Sequence, residues 1–149
     1  MARLPLTTQE FDEIYSKVTR LTVEVLVVTD EGIVLTKRSI QPCKGQWHIP
    51  GGTVRFGEFV ADAVLRIAQE ELGVDVRIVK SLGYIEYPDM LKNGYKGWPV
   101  GMAFEAVITS GEIRGSHQGE EVRCFAKIPE NTILEQKMFL KDHLASLLN

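Results

Sequence analysis

Two adjacent carboxylates, Glu70 and Glu71, are the side chains of this sequence best suited to hold a metal ion. Neighbouring acids on a helix repel each other and destabilise it unless a cation or an arginine offsets their charge. Mg²⁺ suits such a pair because it takes one or two carboxylates, keeps waters and completes its coordination with phosphate oxygens. It would lower the pKa of a bound water and offset phosphate charge. An acidic pair alone is more often a solvated helix face, so the surrounding residues must decide.

Glycines and charged residues precede the acidic pair at defined distances. Gly51 and Gly52 are followed after five residues by Glu58 and, after seven more, by Arg66. Adjacent glycines permit backbone conformations that are closed to other residues, and they let a carbonyl or an N–H group approach a ligand. The glycine pair is therefore a second candidate contact for a bound group.

A helical period runs over residues 60–72 and places the acidic pair on one side of the predicted helix. At about 100° per residue, positions 67, 70 and 71 cluster on that side. Gly73 is expected to end the helix as a C-terminal cap. The opposite side is apolar and should pack on a sheet; its residues are Ala61, Val64, Leu65, Ala68 and Leu72.

The rest of the sequence predicts strands interleaved with few helices. Thr7 and Glu10 form a capping-box pattern that opens a short helix. Residues 39–50 and 88–99 are predicted as loops. An amphipathic helix over residues 129–149 carries apolar Leu134, Met138, Leu144 and Leu147. Strands are predicted over residues 21–29, 33–37, 74–87, 100–108 and 122–128. This order favours a mixed sheet with helices on both sides.

Length and charge limit the classes of protein to which the chain can belong. With 149 residues it fits one domain, 1–149. A net charge of −3 argues against a sequence-independent nucleic-acid binder, which needs a basic surface. No apolar run resembles a signal peptide or a membrane span, and the two cysteines have no metal-type spacing. We expect a cytoplasmic protein that binds neither nucleic acid nor membrane.

The complete spacing from Gly52 to Val74 resembles the signature of the Nudix hydrolases, and the similarity extends over roughly residues 20–128. The resemblance implies an α/β/α sandwich with a mixed central sheet. It also implies hydrolysis of a nucleoside diphosphate linked to another group, with Mg²⁺ or Mn²⁺ held by the Gly51 carbonyl, Glu70 and Glu71. Glu58 and Arg66 are similar to the pair that braces the turn against the helix, and we count Arg66 among the catalytic residues.

One position departs from the family pattern. The family places a glutamate directly after the arginine, whereas this chain has Ile67, which the helical wheel puts on the metal side. The GDP-mannose mannosyl hydrolase branch also has an apolar residue there, and its members attack the sugar carbon rather than phosphorus. The similarity to that branch is partial, because this chain keeps Glu70 and has Thr53 and Gly119 where the branch carries arginine and histidine.

A late loop offers replacements for the missing acid. Glu120 and Glu121 precede a predicted strand, at the place where other Nudix enzymes supply a glutamate. Either carboxylate can activate water if it lies within hydrogen-bond reach of it. A solvated turn glutamate is the alternative for each. Gln118 could match a metal-binding glutamine of the mannosyl hydrolase branch, and we include it among the substrate-site candidates.

Three further side chains are candidates for contact with the substrate. Lys37 and Arg38 could bind phosphate, and Arg38 is suited to bidentate contact; ordinary cations at a strand end are the alternative. Trp47 could stack on a base or a sugar, against the alternative of core packing. The predicted function is Mg²⁺-dependent hydrolysis of a nucleotide sugar or similar small molecule, in a chain that could form a homodimer. Attack at the sugar carbon, or a nucleotide-binding module without turnover, are the alternatives.

Overall fold

The computed structural model describes residues 5–41, 43–115 and 121–147. Gln118, Gly119 and Glu120 lie outside these residues. The helices are α1 (Thr8–Tyr15), α2 (Val60–Ile67), α3 (Pro88–Lys92) and α4 (Leu134–Leu147). The strands are β1 (Thr19–Thr29), β2 (Gly32–Lys37), β3 (Trp47–His48), β4 (Gly51–Thr53), β5 (Asp75–Glu86), β6 (Trp98–Ser110) and β7 (Val122–Phe125). A π-helical segment, the wide turn Ala68–Leu72, continues α2.

The strands form a mixed sheet with β1 at its centre. Residues 19–27 of β1 run parallel to residues 98–106 of β6. The remaining strand pairs are antiparallel, in the order β3-β2-β1-β6-β5, with β4 added to β1 and β7 added to β2. Parallel neighbours need a long crossover, and the chain between β1 and β6 supplies one. The predicted mixed α/β class is confirmed.

An apolar layer lies on each face of the sheet. Side chains of a strand alternate between faces, so Val23, Val25 and Val27 of β1 join the layer under α2, while Leu26 joins the layer under α4. Glu24 has the same parity as Leu26 and therefore belongs to the α4 side. The predicted α/β/α sandwich follows from this division. Within the described residues no helix is long and apolar enough to cross a membrane.

The short helix at the beginning of the chain forms as predicted. Thr7 accepts a hydrogen bond from the Glu10 N–H, and the Glu10 carboxylate accepts one from the Thr7 N–H, which completes the capping box. The segments predicted as loops contain three short elements instead, β3, α3 and the first residues of β6. Elements of two to five residues are too short for a period to be recognised.

Two predicted helix faces are wrong in part: Val64, Ala68, Leu72 and Leu147 are buried as predicted, but other predicted residues are not. On α2 and the wide turn, Ala61 and Leu65 are exposed, and the buried residues are Ala63, Val64, Ile67, Ala68 and Leu72. On α4, Leu134 and Met138 are exposed. The buried positions are Ile133, Gln136, Leu140 and Leu147. The buried face thus includes Ile133, directly before α4, and a polar residue, Gln136, which an apolar pattern does not reveal.

Candidate active site

Strand β4 places Gly51 beside the centre of β1. The Val25 N–H donates to the Pro50 carbonyl at 2.8 Å, and the Val54 N–H donates to the Leu21 carbonyl at 3.0 Å. Hydrogen-bonded and non-hydrogen-bonded positions alternate along an antiparallel pair, so the peptide groups of Gly51 face away from β1. Its carbonyl oxygen is thus not used by the β1–β4 ladder and is accessible to a ligand.

Both glycines of β4 are required by contacts on opposite faces of the sheet. A Cβ atom on Gly51 would overlap the Glu24 carboxylate and lie 2.7 Å from the Val23 carbonyl oxygen. A Cβ atom on Gly52 would overlap Cδ1 of Ile67. No side chain fits at either position without displacement of a neighbour, which explains why the sequence has two glycines here.

Ile67 lies in the core of the protein. Its side chain is 3% exposed, and it packs against Gly52 and the apolar layer under α2. The wheel that placed position 67 with positions 70 and 71 assumed one uniform helix, but the period changes immediately after Ile67. The prediction that Ile67 lies away from the core is therefore wrong. Where the family signature has a glutamate, this chain has an apolar side chain, Ile67, that packs against Gly52.

The acidic pair sits on the wide turn, which is rare in proteins and occurs often at functional sites. Five residues, Ala68–Leu72, form this turn and re-aim the side chains that follow α2. Gly73 ends it with a left-handed φ of 69°, as predicted, and its N–H donates to the Gln69 carbonyl at 3.0 Å. The turn thus places the backbone of Glu70 and Glu71 directly after α2, at the end of the helix that contacts β4.

Arg66 joins the glutamate of the preceding loop to α2. Its Nε donates to one Glu58 oxygen at 2.8 Å, and its Nη2 donates to the other at 2.9 Å. Nη2 also donates to the Thr53 carbonyl at 2.9 Å. The Arg66 hydrogen bonds lower the pKa of Glu58, and Glu58 raises the pKa of Arg66. The structure brings together the two residues expected to brace this turn.

Glu70 has arginine neighbours on two sides. Its carboxylate lies 3.2 Å from Arg66 and 3.5 Å from Arg55, while Glu71 is half-buried. A carbonyl and two carboxylates are the hard oxygen donors that Mg²⁺ prefers, so the Gly51 carbonyl, Glu70 and Glu71 fit a divalent cation in kind. Among residues 5–41, 43–115 and 121–147, no group of three acids, histidines or cysteines could hold a metal by itself.

The remaining candidates fall in different places. Arg38 lines a cavity of about 140 Å³ beside Gly51, whereas the Lys37 ammonium lies 5.8 Å above the Trp47 ring. Trp47 packs edge-on against Phe125 in the layer under α4. Because its ring is buried there, the expectation that Trp47 stacks on the substrate is not supported.

Glu121 is the one described member of the late-loop candidates. Its carboxylate forms an ion pair with Arg123, and its carbonyl accepts a hydrogen bond from the Lys37 N–H at 2.8 Å. The carbonyl contact extends the pairing of β7 with β2. Glu120 and Gln118 lie outside the described residues, so their roles stay predictions.

Sequence analysis missed the polar chain that lines this cavity. The Tyr87 hydroxyl donates to Glu24 at 2.9 Å and accepts from Gln136 at 2.9 Å, while the Gln136 oxygen accepts from the Ile49 N–H at 2.6 Å. Burial raises the pKa of Glu24 to about 7. The one available signal was an acid in the middle of an apolar strand, since a buried charge is costly unless it is held by hydrogen bonds.

Arg20 is a second residue that sequence analysis did not identify. Its guanidinium lies 5.2 Å from the centre of the Phe11 ring on α1, and it donates to Thr53 at 3.0 Å and to Tyr95 at 2.9 Å. It lines the cavity next to Glu24. A larger cavity of about 630 Å³ lies between α1 and the loop that carries Tyr95. The two cavities share Tyr95 in their walls.

Comparisons with known proteins agree with this architecture. The low-salt glycan biosynthesis protein Agl8 of Haloferax volcanii is 40% identical over 78 residues, which are 52% of this chain and half of that protein. An ADP-ribose pyrophosphatase of Methanocaldococcus jannaschii is 29% identical over 124 residues, 82% of this chain and 71% of that one. The crystal structure of a MutT NUDIX hydrolase from Burkholderia pseudomallei has a TM-score of 0.71 at 28% identity, covering 84% of this chain and 98% of that one. The NUDIX domain matches residues 18–139, and the chain belongs to the NUDIX domain family.

Proposed function

We propose that the chain hydrolyses a nucleoside-diphosphate-linked small molecule, a nucleotide sugar, with the help of Mg²⁺ or Mn²⁺. The observation that carries the proposal is the placement of the Gly51 carbonyl outside the strand ladder, beside a cavity that Arg20 and Arg38 line. One candidate metal ligand and two cations suited to phosphate thus line the same cavity, which supports binding of a diphosphate.

Two relatives support the choice of substrate class. The Methanocaldococcus protein is named an ADP-ribose pyrophosphatase, which acts on a nucleoside diphosphate joined to a sugar. The Haloferax protein is named for glycan biosynthesis, a process that consumes activated sugars. We take the shared chemistry, a diphosphate between a nucleoside and a sugar, as the substrate class of this chain.

The residues that would hold the metal are Gly51, through its carbonyl, and Glu70 and Glu71. When bound, the ion offsets diphosphate charge and lowers the pKa of a coordinated water. Arg66 keeps the loop before α2 fixed through Glu58. For removal of the proton from water we propose Glu120 or Glu121, the two late-loop acids.

The proposal is tested with a panel of nucleoside diphosphate sugars, including ADP-ribose and GDP-mannose, each assayed with Mg²⁺ and with Mn²⁺. We expect turnover of at least one member, and a loss of about 100-fold or more in kcat for Glu71→Gln, because a metal-bound group stabilises charge that develops during reaction. Glu31→Gln, in the exposed turn between β1 and β2, is the matched control and should keep full activity. Unchanged activity of Glu71→Gln would remove the acidic pair from the metal site.

A second candidate function is nucleotide binding without turnover, and the burial of Ile67 favours it. The family glutamate at this position is replaced by a core residue, and the described part of the chain holds no group of three acids for a metal. A panel member that raises the melting temperature but is never cleaved would support this candidate against the hydrolase.

Attack at the sugar carbon is the other route that the sequence leaves open. Hydrolysis in ¹⁸O-labelled water separates it from attack at phosphorus, because the label enters the sugar in the first case and the phosphate in the second. We propose attack at phosphorus, since this chain keeps Glu70, the acid that the branch attacking the sugar carbon has lost.

A further inference from the structure

A carboxylate lies in the wall of the small cavity beside Gly51. Glu24, at the centre of β1, lines it together with Arg20, Arg38 and Tyr87. The residue is 6% exposed, and none of the ion pairs among the described residues includes it. Acids are seldom buried without a cation unless hydrogen bonds hold them. The contacts of its two oxygens therefore decide what Glu24 can do.

One carboxylate oxygen is used by the protein and the other is open. The Tyr87 hydroxyl donates to Oε1 at 2.9 Å, and the Thr22 hydroxyl donates to the same oxygen at 3.2 Å. Oε2 receives no hydrogen bond within the described residues, and it is not sealed from solvent. Since a carboxylate oxygen accepts hydrogen bonds, Glu24 presents one unused acceptor to the cavity.

The two strands beside β1 make room for this side chain. Gly51 of β4 and Gly101 of β6 flank Glu24, and a Cβ atom on either would overlap a carboxylate oxygen. Glycine inside a strand weakens it and often marks a close approach of another group. Each strand beside β1 thus has a glycine against this carboxylate, so the sheet accommodates it at a cost to its own packing.

The cavity is lined by charges of both signs. Arg20 and Arg38 suit the oxygens of a diphosphate, whereas the Glu24 carboxylate repels them. The group that reaches Glu24 must be uncharged and must carry a hydrogen-bond donor. With a volume of about 140 Å³, the cavity is smaller than pockets that enclose a whole ligand of this kind, so it fits one ring.

We propose that Oε2 of Glu24 recognises a hydroxyl or N–H group on the ring next to the diphosphate of the substrate. Glu24 is then a specificity-determining residue, and Tyr87 is a positioning residue that keeps Oε1 away from the ligand. This inference rests on the proposed function, because it assumes that Arg20 and Arg38 bind a diphosphate in this cavity.

The test uses the panel member that the wild-type protein hydrolyses best. KM is measured for this substrate, and inhibition constants are measured for its parent nucleoside diphosphate and for inorganic pyrophosphate, which has no ring. The proteins are wild type, Glu24→Gln, Tyr87→Phe and Glu105→Gln. Glu105 lies on β6 outside the lining of the cavity, so its variant controls for the loss of one negative charge.

Glu24→Gln should raise KM about tenfold or more, since the two protein donors select the amide oxygen and leave the NH₂ group facing the donor of the ligand. The inhibition constant of pyrophosphate should stay within about twofold. Tyr87→Phe should raise the KM of the substrate less than Glu24→Gln does, and it should also leave the inhibition constant of pyrophosphate unchanged. If Glu24→Gln does not fold, Tyr87→Phe provides the test. A rise for the parent nucleoside diphosphate as well assigns the donor to the nucleoside; a rise for the substrate alone assigns it to the linked sugar.

Equal weakening of substrate and pyrophosphate, or no change in either, would overturn the role of Glu24 while leaving the hydrolase intact. If the wild type neither binds nor hydrolyses any panel member, the proposed function itself fails, and the role of Glu24 fails with it. The two failures are thus distinguished by the behaviour of the wild-type protein.

Discussion

At the scale of single residues, the site depends on two glycines, because a neighbouring side chain occupies the space that a Cβ atom would need. Gly51 and Gly52 are neighbours in sequence, yet they serve opposite faces of the sheet. Gly51 leaves space for the Glu24 carboxylate, and Gly52 leaves space for Ile67. The two positions differ in what an added methyl group would meet, and this difference can be measured.

Gly51→Ala should destabilise the protein more than Gly52→Ala. The methyl group at position 51 meets the rigid backbone carbonyl of Val23 as well as Glu24, whereas at position 52 it meets only the end of the Ile67 side chain. Overpacking costs about 1–3 kcal/mol, and we expect Gly51→Ala at the upper end. Urea unfolding of both variants measures the order, and Ile67→Val should recover part of the loss in Gly52→Ala because it removes Cδ1. An equal loss in the two variants would contradict this account.

At the scale of elements, the change from α2 to the wide turn decides which residues reach the site. Up to Ile67 the helix follows an ordinary period, and Ile67 joins the core. From Ala68 the turn widens, and the next exposed residues include Glu70. A uniform helical wheel cannot represent this change, so it cannot relate the direction of Ile67 to that of Glu70 and Glu71.

Ile67→Glu and Leu65→Glu distinguish the two descriptions of this helix. Ile67→Glu buries a carboxylate in an apolar layer, and we expect a loss of about 3 kcal/mol or more in the free energy of unfolding. Leu65 is 42% exposed, so Leu65→Glu should cost less than about 1 kcal/mol. Chemical denaturation of the two variants is the measurement. A stable Ile67→Glu protein with raised activity would instead place position 67 at the metal.

At the scale of the whole molecule, the small cavity beside Gly51 is lined by two titratable groups of opposite behaviour. Burial lowers the pKa of His48 to about 4, and the neutral ring donates from Nδ1 to the Ile49 carbonyl and accepts from Thr36. Burial raises the pKa of Glu24 to about 7. In both cases burial disfavours the charged form, and Glu24 carries its charge, with Oε2 free to accept, from about pH 7 upward.

These two groups should oppose each other in the pH dependence of stability. As pH falls from 6.5 to 4, the unfolded chain protonates His48 while the folded chain does not, so stability is lost. As pH rises from 4.5 to 7, the unfolded chain ionises Glu24 while the folded chain does not, so stability is again lost. Each shift corresponds to about 3 kcal/mol. The two effects cancel over the shared range of pH.

Single variants should reveal each effect. Between pH 4.5 and 6.5 we expect the unfolding free energy of Glu24→Gln to rise with pH and that of His48→Gln to fall, with the double variant close to flat. Denaturation midpoints across this range measure the slopes. Parallel curves for wild type and both variants would show that neither group is uncharged in the folded protein.

The sequence by itself determined the family, the mixed sheet, the capping box of α1 and the chemistry of the acidic pair. These features depend on residue types at short, regular spacing, which local physics fixes. The tertiary structure alone decided that Ile67 is buried, that Trp47 belongs to the core, and that Glu24, Tyr87 and Gln136 meet beside Gly51. Those contacts join strands and helices far apart in the chain, and a pattern read along one segment cannot specify which distant side chain will fill the space next to a glycine.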